Sequence, residues 1–164
     1  MFNALFAATL LQAAAPAHDA CPSVTAPPAE LSGWASPRPL GAGRTLARAT
    51  TLTPGVAVTA RLPTTRDVQY VVRPEKPGGS VSYGGVFTFT VATRGRYRIA
   101  LGSGAWIDVL ADGKPATSVA HGHGPACTGI RKMVDFDLAA GRYVLQVAGN
   151  GTADLPLMVA KLPA

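Results

Sequence analysis

One strand–turn–strand segment occurs twice in this chain, and this repeat constrains the fold more than any other feature. Residues 87–101 and 134–147 share alternating apolar and polar side chains around a turn that leads into Gly-Arg-Tyr. Alternation with a period of two places the apolar side chains on one face of a strand. The repeat therefore predicts antiparallel sheets with one buried face and one wetted face.

The tyrosine after the glycine of each copy, Tyr97 or Tyr143, has a structural interpretation. In β-sandwiches a tyrosine at such a corner packs inward, and its hydroxyl bonds to nearby backbone. We therefore expect both tyrosines to stabilise the fold rather than to react.

Short strands are predicted along most of the chain. The 18 glycines and 14 prolines disfavour long helices, and Asp112-Gly113 is a typical hairpin turn. The predicted strands are residues 56–62, 68–72, 86–91, 96–101, 106–110, 132–138, 142–147 and 157–162. This pattern predicts an all-β fold, a single Greek-key β-sandwich or jelly roll of about eight strands spanning residues 51–164.

The segment 1–17 has the pattern of a signal peptide. An uncharged apolar stretch over residues 4–11 is followed by Ala15-Pro16-Ala17, which fits cleavage after Ala17. We therefore expect a periplasmic or secreted protein that begins at His18 and keeps no membrane anchor, because the stretch is too short to span a bilayer. Residues 18–50, rich in proline and alanine, predict an irregular arm that docks through Trp34.

The chain has two cysteines, Cys21 and Cys127. In an oxidising compartment two such cysteines usually pair, and closing a loop of about a hundred residues stabilises a fold by roughly 4 to 5 kcal/mol in the chain-entropy model. His18 and His123 lie close to these cysteines in sequence. Because a peptide spans about 3.5 Å per residue, the disulfide predicts that His18, His121 and His123 are neighbours.

These histidines form a candidate metal site. In extended backbone His121 and His123 point to the same side, and an N-terminal His18 adds a free amine to its imidazole. Such nitrogen ligands suit Cu(II) best and Zn(II) second, and the set resembles the histidine brace of secreted copper proteins. The alternative is that His121 and His123 are polar loop residues that cap strand ends.

The formal net charge is +6, but no run exceeds two adjacent basic residues and no aromatic platform accompanies them. We therefore expect no nucleic-acid partner. Arg94, Arg96 and Arg98 form a candidate basic surface for an acidic envelope glycan or another polyanion, or simply a solvated face. Motifs of serine hydrolases and phosphate-binding loops are absent from the sequence.

Two resemblances add to these expectations. Residues 84–160 look like the small β-sandwich modules of pre-peptidase C-terminal type that are appended to secreted bacterial enzymes. Gly-Trp34-Ala-Ser-Pro, Ala105-Trp-Ile-Asp-Val and the segment 121–136 resemble a family of short exported bacterial proteins often labelled homogentisate 1,2-dioxygenase.

The second resemblance implies non-haem Fe(II) held by two histidines and one carboxylate, as in cupins. His121, His123 and Asp135 would be the candidate ligands. Cupin motifs place a glutamate three or four residues after His-x-His, where this chain has residues such as Ala126 and Cys127.

Three functions therefore follow from the sequence. The first is an exported, non-enzymatic binding or accessory protein with a Cu or Zn site at the histidines. The second is a cupin-like Fe(II) dioxygenase, and the third is a module that binds glycans or polyanions.

Overall fold

The computed structural model describes Cys21 and residues 23–163, and most of these residues lie in strands or in the turns between them. Within these residues, three short 3₁₀ helices span Ala29–Ala35, Leu46–Arg48 and Thr65–Asp67. The strands are β1 (Arg38–Gly41), β2 (Thr50–Leu52), β3 (Ala57–Arg61), β4 (Tyr83–Val91), β5 (Gly95–Leu101), β6 (Trp106–Ala111), β7 (Lys114–Pro115), β8 (Ala120–Gly122), β9 (Lys132–Leu138), β10 (Gly141–Asn150) and β11 (Asp154–Lys161).

These strands form two sheets. Sheet A has six strands in the order β1-β3-β11-β5-β9-β8, and sheet B has five in the order β2-β4-β10-β6-β7. The β1–β3 and β2–β4 pairs are parallel and the other neighbours are antiparallel. The predicted all-β sandwich is confirmed. In the described part of the chain, no helix has the length and hydrophobicity that a membrane span requires.

The two copies of the repeat pair with each other in both sheets. The first copy places β4 in sheet B and β5 in sheet A, and the second places β9 in sheet A and β10 in sheet B. Phe89 pairs with Tyr143 in sheet B, while the equivalent Phe136 pairs with Tyr97 in sheet A. Interchanging the two copies therefore gives nearly the same strand pairing, as in an approximate two-fold relation between them.

Both repeat tyrosines form the expected corner. The hydroxyl of Tyr97 donates to the carbonyl of Thr93, and that of Tyr143 donates to the carbonyl of Ala139, each at 3.0 Å. Both rings are buried, and Tyr143 stacks on Phe89 with ring centroids 5.5 Å apart. Each bond ties a strand to the turn before it, which confirms the structural interpretation of these residues.

The main core lies between the sheets. Its largest members are inward-facing side chains with no measurable exposure: Phe87, Phe89, Ile99, Leu101, Leu145, Leu155 and Leu157. Each such side chain contributes roughly 1.5–3 kcal/mol on burial. Because the chain has few aromatic residues, packing depends on valine, leucine and isoleucine that alternate along every long strand.

A second apolar cluster lies on the outer face of sheet A, under the N-terminal arm. It contains Leu31, Ala57, Ala100, Ile130, Met158 and Ala160, with Trp34 and Met133 packed against it. Small alanines on the strands let the arm approach closely. A Cβ atom on Gly33 would collide with the carbonyl oxygen of Gly55, so this contact requires glycine.

The arm is fixed to the loop between β8 and β9. Cys21 and Cys127 form the predicted disulfide, with Cα atoms 5.5 Å apart, and the amide of Thr25 donates to the Cys127 carbonyl at 2.9 Å. The indole of Trp34 donates to the carbonyl of Thr128 at 3.0 Å. The expected docking role of Trp34 is thus confirmed, and the disulfide is consistent with an extracellular location.

The strand predicted over residues 68–72 is wrong. This segment crosses the outer face of sheet B without strand pairing, and the buried side chain of Gln146 takes the place of a neighbouring strand. Its amide oxygen accepts from the amides of Val71 and Val72, and its nitrogen donates to the Val72 carbonyl at 3.1 Å. Tyr70 adds a bond to the carbonyl of Val147.

The remaining differences concern short strands. The other seven predicted strands are present, and β1, β2, β7 and β8, each of two to four residues, were not predicted. The predicted hairpin turn at Asp112-Gly113 joins β6 to β7, with φ values of 49° and 75°. Of these strands, β1 lies within the predicted arm, and β2 begins at its last residue, Thr50.

We expect Tyr143→Phe to lower the free energy of unfolding by about 1 kcal/mol, because it removes one buried hydrogen bond and leaves the Ala139 carbonyl without that donor. Urea unfolding measures the change. Tyr83→Phe is the matched control, since the Tyr83 hydroxyl has no hydrogen-bond partner among residues 23–163. Equal effects of the two substitutions would contradict the corner bond.

Candidate functional site

A cavity of about 620 Å³ opens at one side of the sandwich, between β6 and β7 of sheet B and β8 and β9 of sheet A. β7 and β8 are the last strands of their sheets on this side. They have two and three residues, so they are too short to close the gap between the longer strands beside them. The cavity is therefore built by the fold itself.

The inner wall of the cavity is apolar. Ile107 and Val109 contribute from β6, and Val134 and Phe136 from β9. All four belong to the main core, and Ala116 packs against them at the rim. The cavity thus borders the core, and the wall side chains keep only small exposed parts, 8% for Ile107 and 7% for Val134.

His121 and His123 both line this cavity. His121 pairs with Val134 in the β8–β9 ladder, and cross-strand partners share a face. The Nδ1 atom of His123 lies 2.9 Å from the carbonyl oxygen of Arg131. In the tautomer that donates this bond, Nε2 keeps a lone pair that is available to a ligand.

The third candidate ligand, His18, lies outside the described residues. Within Cys21 and residues 23–163, no three His, Cys, Asp or Glu side chains are grouped so that they could hold a metal ion. The histidine pair is therefore the part of the candidate metal site that the structure describes.

Two lysine ammonium groups lie near the indole ring of Trp106 at the mouth of the cavity. The ammonium of Lys132 lies 5.7 Å from the indole centroid and that of Lys76 lies 5.6 Å from it. Lys132 also donates to the carbonyl of Ala105 at 2.8 Å. Burial lowers the pKa of Lys132, and the charge of Lys76 lowers it further.

Asp108 is the acidic residue among the described residues that line the cavity. Its carboxylate accepts from the indole nitrogen of Trp106 at 3.0 Å and from the amide of Gln146 at 3.4 Å. Burial raises the pKa of Asp108, and these two hydrogen bonds oppose the shift. The carboxylate therefore orients Trp106 and also fixes the Gln146 amide that holds residues 71 and 72.

Asp135 is not with the histidines. It neighbours Val134 on β9 and so faces the opposite side of sheet A, where Arg98 bonds both its oxygens at 2.8 and 2.9 Å. The Asp135 residue is only 5% exposed. The facial triad implied by the dioxygenase resemblance therefore does not form around Asp135, because strand alternation separates it from His121 and His123.

Of the arginines of the candidate basic surface, Arg96 and Arg98 lie on the outer face of sheet A, and Arg94 lies in the turn between β4 and β5. Arg98 bonds Asp135 and lies 3.5 Å from Glu30, and Arg96 bonds Asp137 at 2.8 Å. Arg94 lines a shallow groove with Lys161. Acidic neighbours thus offset much of the charge of Arg96 and Arg98.

Sequence reasoning missed Lys76, Asp108 and Lys132 as cavity residues. Alternation along β9 could have identified Lys132, which shares a face with Val134 and Phe136. No local signal identifies Lys76, because the segment that carries it reaches Trp106 only through the long-range bonds of Gln146.

No family model matches the chain, and no curated protein matches it. Among solved structures, it is similar to the pre-peptidase C-terminal domain of a collagenase from Bacillus anthracis, with 18% sequence identity and a TM-score of 0.43. The alignment covers 68% of this chain and 93% of that chain. At these values the similarity carries no inference about function, and the resemblance to the family labelled homogentisate 1,2-dioxygenase stays a prediction.

We expect the free energy of unfolding of Asp108→Asn, measured relative to that of the wild type, to increase as pH rises from about 3 to 7. A raised pKa means that the folded state favours the protonated carboxyl. That contribution to stability is present below the ordinary aspartate pKa and is lost as pH rises through the raised value. Urea unfolding at several pH values measures the difference in unfolding free energy between the variant and the wild type. A difference that does not change with pH would contradict a raised pKa of Asp108 as its cause.

Proposed function

We propose that this protein is an exported, non-enzymatic binding module and that its ligand occupies the cavity between β6–β7 and β8–β9. One observation carries this proposal: a cavity open to solvent is bordered by core side chains of both sheets, among them Ile107 and Val134, and has a polar mouth. Binding sites for small molecules are concave and mostly apolar, with a few polar groups that orient the ligand.

Export is supported by two independent features. The segment 1–17 has an apolar stretch followed by small residues, the order of the apolar part and cleavage site in signal peptides. The Cys21–Cys127 disulfide is of a kind that persists in oxidising compartments and is rare in the cytosol. The binding module would therefore work in the periplasm or outside the cell.

Binding rather than catalysis is favoured by what the polar groups already do. Both cysteines are joined in the disulfide, and the Asp108 carboxylate accepts from Trp106 and Gln146. The Nδ1 of His123 is engaged by the Arg131 carbonyl. Side chains held in this way orient a ligand without needing to transfer protons to it.

Filling the cavity tests the proposal. We expect Ala116→Phe to weaken binding of the neutral dye N-phenyl-1-naphthylamine at least about tenfold, because the added ring occupies the space beside the apolar wall. Dye fluorescence during titration gives the affinity. Ala140→Phe, at an exposed position in the β9–β10 turn, is the matched control and should leave the affinity unchanged. Wild-type protein that binds no dye, or equal binding by both variants, would refute the cavity as the site.

A second candidate ligand is a transition metal ion, Cu(II) or Zn(II). It is favoured by the placement of His121 and His123 on one cavity and by the bond that orients the His123 ring. Carbonyl groups commonly orient metal-binding imidazoles in this way. His18, as the first residue after cleavage, would complete the ligand set.

Metal titration of the mature protein purified from the periplasm tests this candidate. We expect His121→Ala to weaken Cu(II) and Zn(II) binding at least about tenfold, since it removes one ligand nitrogen, while Asp112→Asn in the exposed β6–β7 turn leaves it unchanged. Absence of binding by the wild-type protein would refute the metal site. Titration with Fe(II), followed by oxygen uptake in the presence of homogentisate, tests the dioxygenase alternative.

A further inference from the structure

The charges at the cavity are unbalanced. Lys76, Arg131 and Lys132 contribute three cations, against one carboxylate, that of Asp108, among the described residues that line it. The Asp108 oxygens already accept hydrogen bonds from Trp106 and Gln146. The excess positive charge therefore has no acidic side chain in the cavity to neutralise it.

Lys132 shows this imbalance most clearly. An ammonium group has three donors, and one of them is used by the carbonyl of Ala105. The ammonium is half-buried, and no carboxylate among residues 23–163 lies within salt-bridge distance of it. The ammonium of Lys76 lies 5.6 Å from the centroid of the same indole ring, so two like charges are held near each other. An anion is the partner that would satisfy both.

The apolar wall begins beside these cations. Val109, Val134 and Phe136 line the same cavity as Lys132, and its volume of about 620 Å³ lies in the range that accommodates small organic ligands. A bare inorganic anion would fill little of this volume and would leave water against the apolar side of the cavity. A ligand with an apolar body would cover it and bring its charged group to the mouth.

We infer that the ligand of this cavity is a small amphipathic organic anion, whose carboxylate, sulfonate or phosphate group binds Lys132 while its aromatic or aliphatic body covers the wall formed by β6 and β9. The inference rests on the proposed binding cavity and specifies its ligand class. Charge-assisted hydrogen bonds from ammonium groups to such oxygens are stronger than neutral ones. Lys76 adds electrostatic attraction at the rim, and Trp106 offers an aromatic surface to the ligand body.

Two dyes with the same aromatic body test the inference. The first, 8-anilinonaphthalene-1-sulfonate, carries a sulfonate, and the second, N-phenyl-1-naphthylamine, lacks it. We expect the wild-type protein to bind the sulfonate at least about tenfold more tightly than the neutral dye, since a hydrogen bond to a charged group exceeds a neutral contact by this order. Fluorescence titration at fixed ionic strength gives both affinities.

Three lysine variants test which lysines cause the preference for the sulfonate dye. Lys132→Met should reduce the preference for the sulfonate over the neutral dye to about twofold or less, because the charge is lost and the stem is kept. Lys76→Met should reduce the preference for the sulfonate partially. It provides a second test of the anion site if Lys132→Met fails to fold. Lys114→Met changes the net charge equally at an exposed position on β7 outside the cavity lining, and it should preserve the preference.

The outcomes separate this inference from the proposed cavity. Equal affinities for the two dyes in the wild-type protein, with both lost in Ala116→Phe, would overturn the anionic ligand and leave the binding cavity in place. A sulfonate preference that survives both Lys132→Met and Lys76→Met would also overturn it. Dye binding that Ala116→Phe does not change would overturn the cavity and the inference together. A preference lost in Lys132→Met and kept in Lys114→Met would support the anion site.

Discussion

The pairing of the two repeat copies with each other is the interaction on which the rest of the structure depends. Each copy contributes one strand to each sheet, so β4–β10 in sheet B and β5–β9 in sheet A are formed by the same two segments. A corner tyrosine holds each turn between the sheets. The relative position of the sheets is thus fixed by chain connectivity, and the remaining strands extend a frame that already encloses the largest core side chains.

The two open sides of this frame are closed unequally, and the cavity is the result. On one side, β1 and β2 add parallel strands, and Leu40 and Ala42 pack onto the core there. On the other side, β7 and β8 cover only part of β6 and β9. Apolar wall residues and charged side chains consequently meet at one place, which is where a ligand can use both.

Sequence patterns predicted those parts of the molecule that depend on local periodicity. Alternation identified the long strands, and two lone cysteines after a segment that resembles a signal peptide were enough to predict their pairing. Residues 68–72 have a strand-like composition, but Gln146, on the distant strand β10, supplies their partner. Alternation along β9 separates Asp135 from His121, because His121 pairs with Val134 and Asp135 faces the opposite side of the sheet. Lys76 lies near Trp106 through contacts that no local pattern encodes.

The order of the strands along the chain has a consequence for biosynthesis. β3 and β5 are joined in sheet A through β11, and β4 and β6 are joined in sheet B through β10. Neither sheet can assemble from the segments that leave the ribosome first, because the strands that belong in the middle of both are made last. Both sheets therefore reach their full width only after β10 and β11, the last two strands along the chain, have been made.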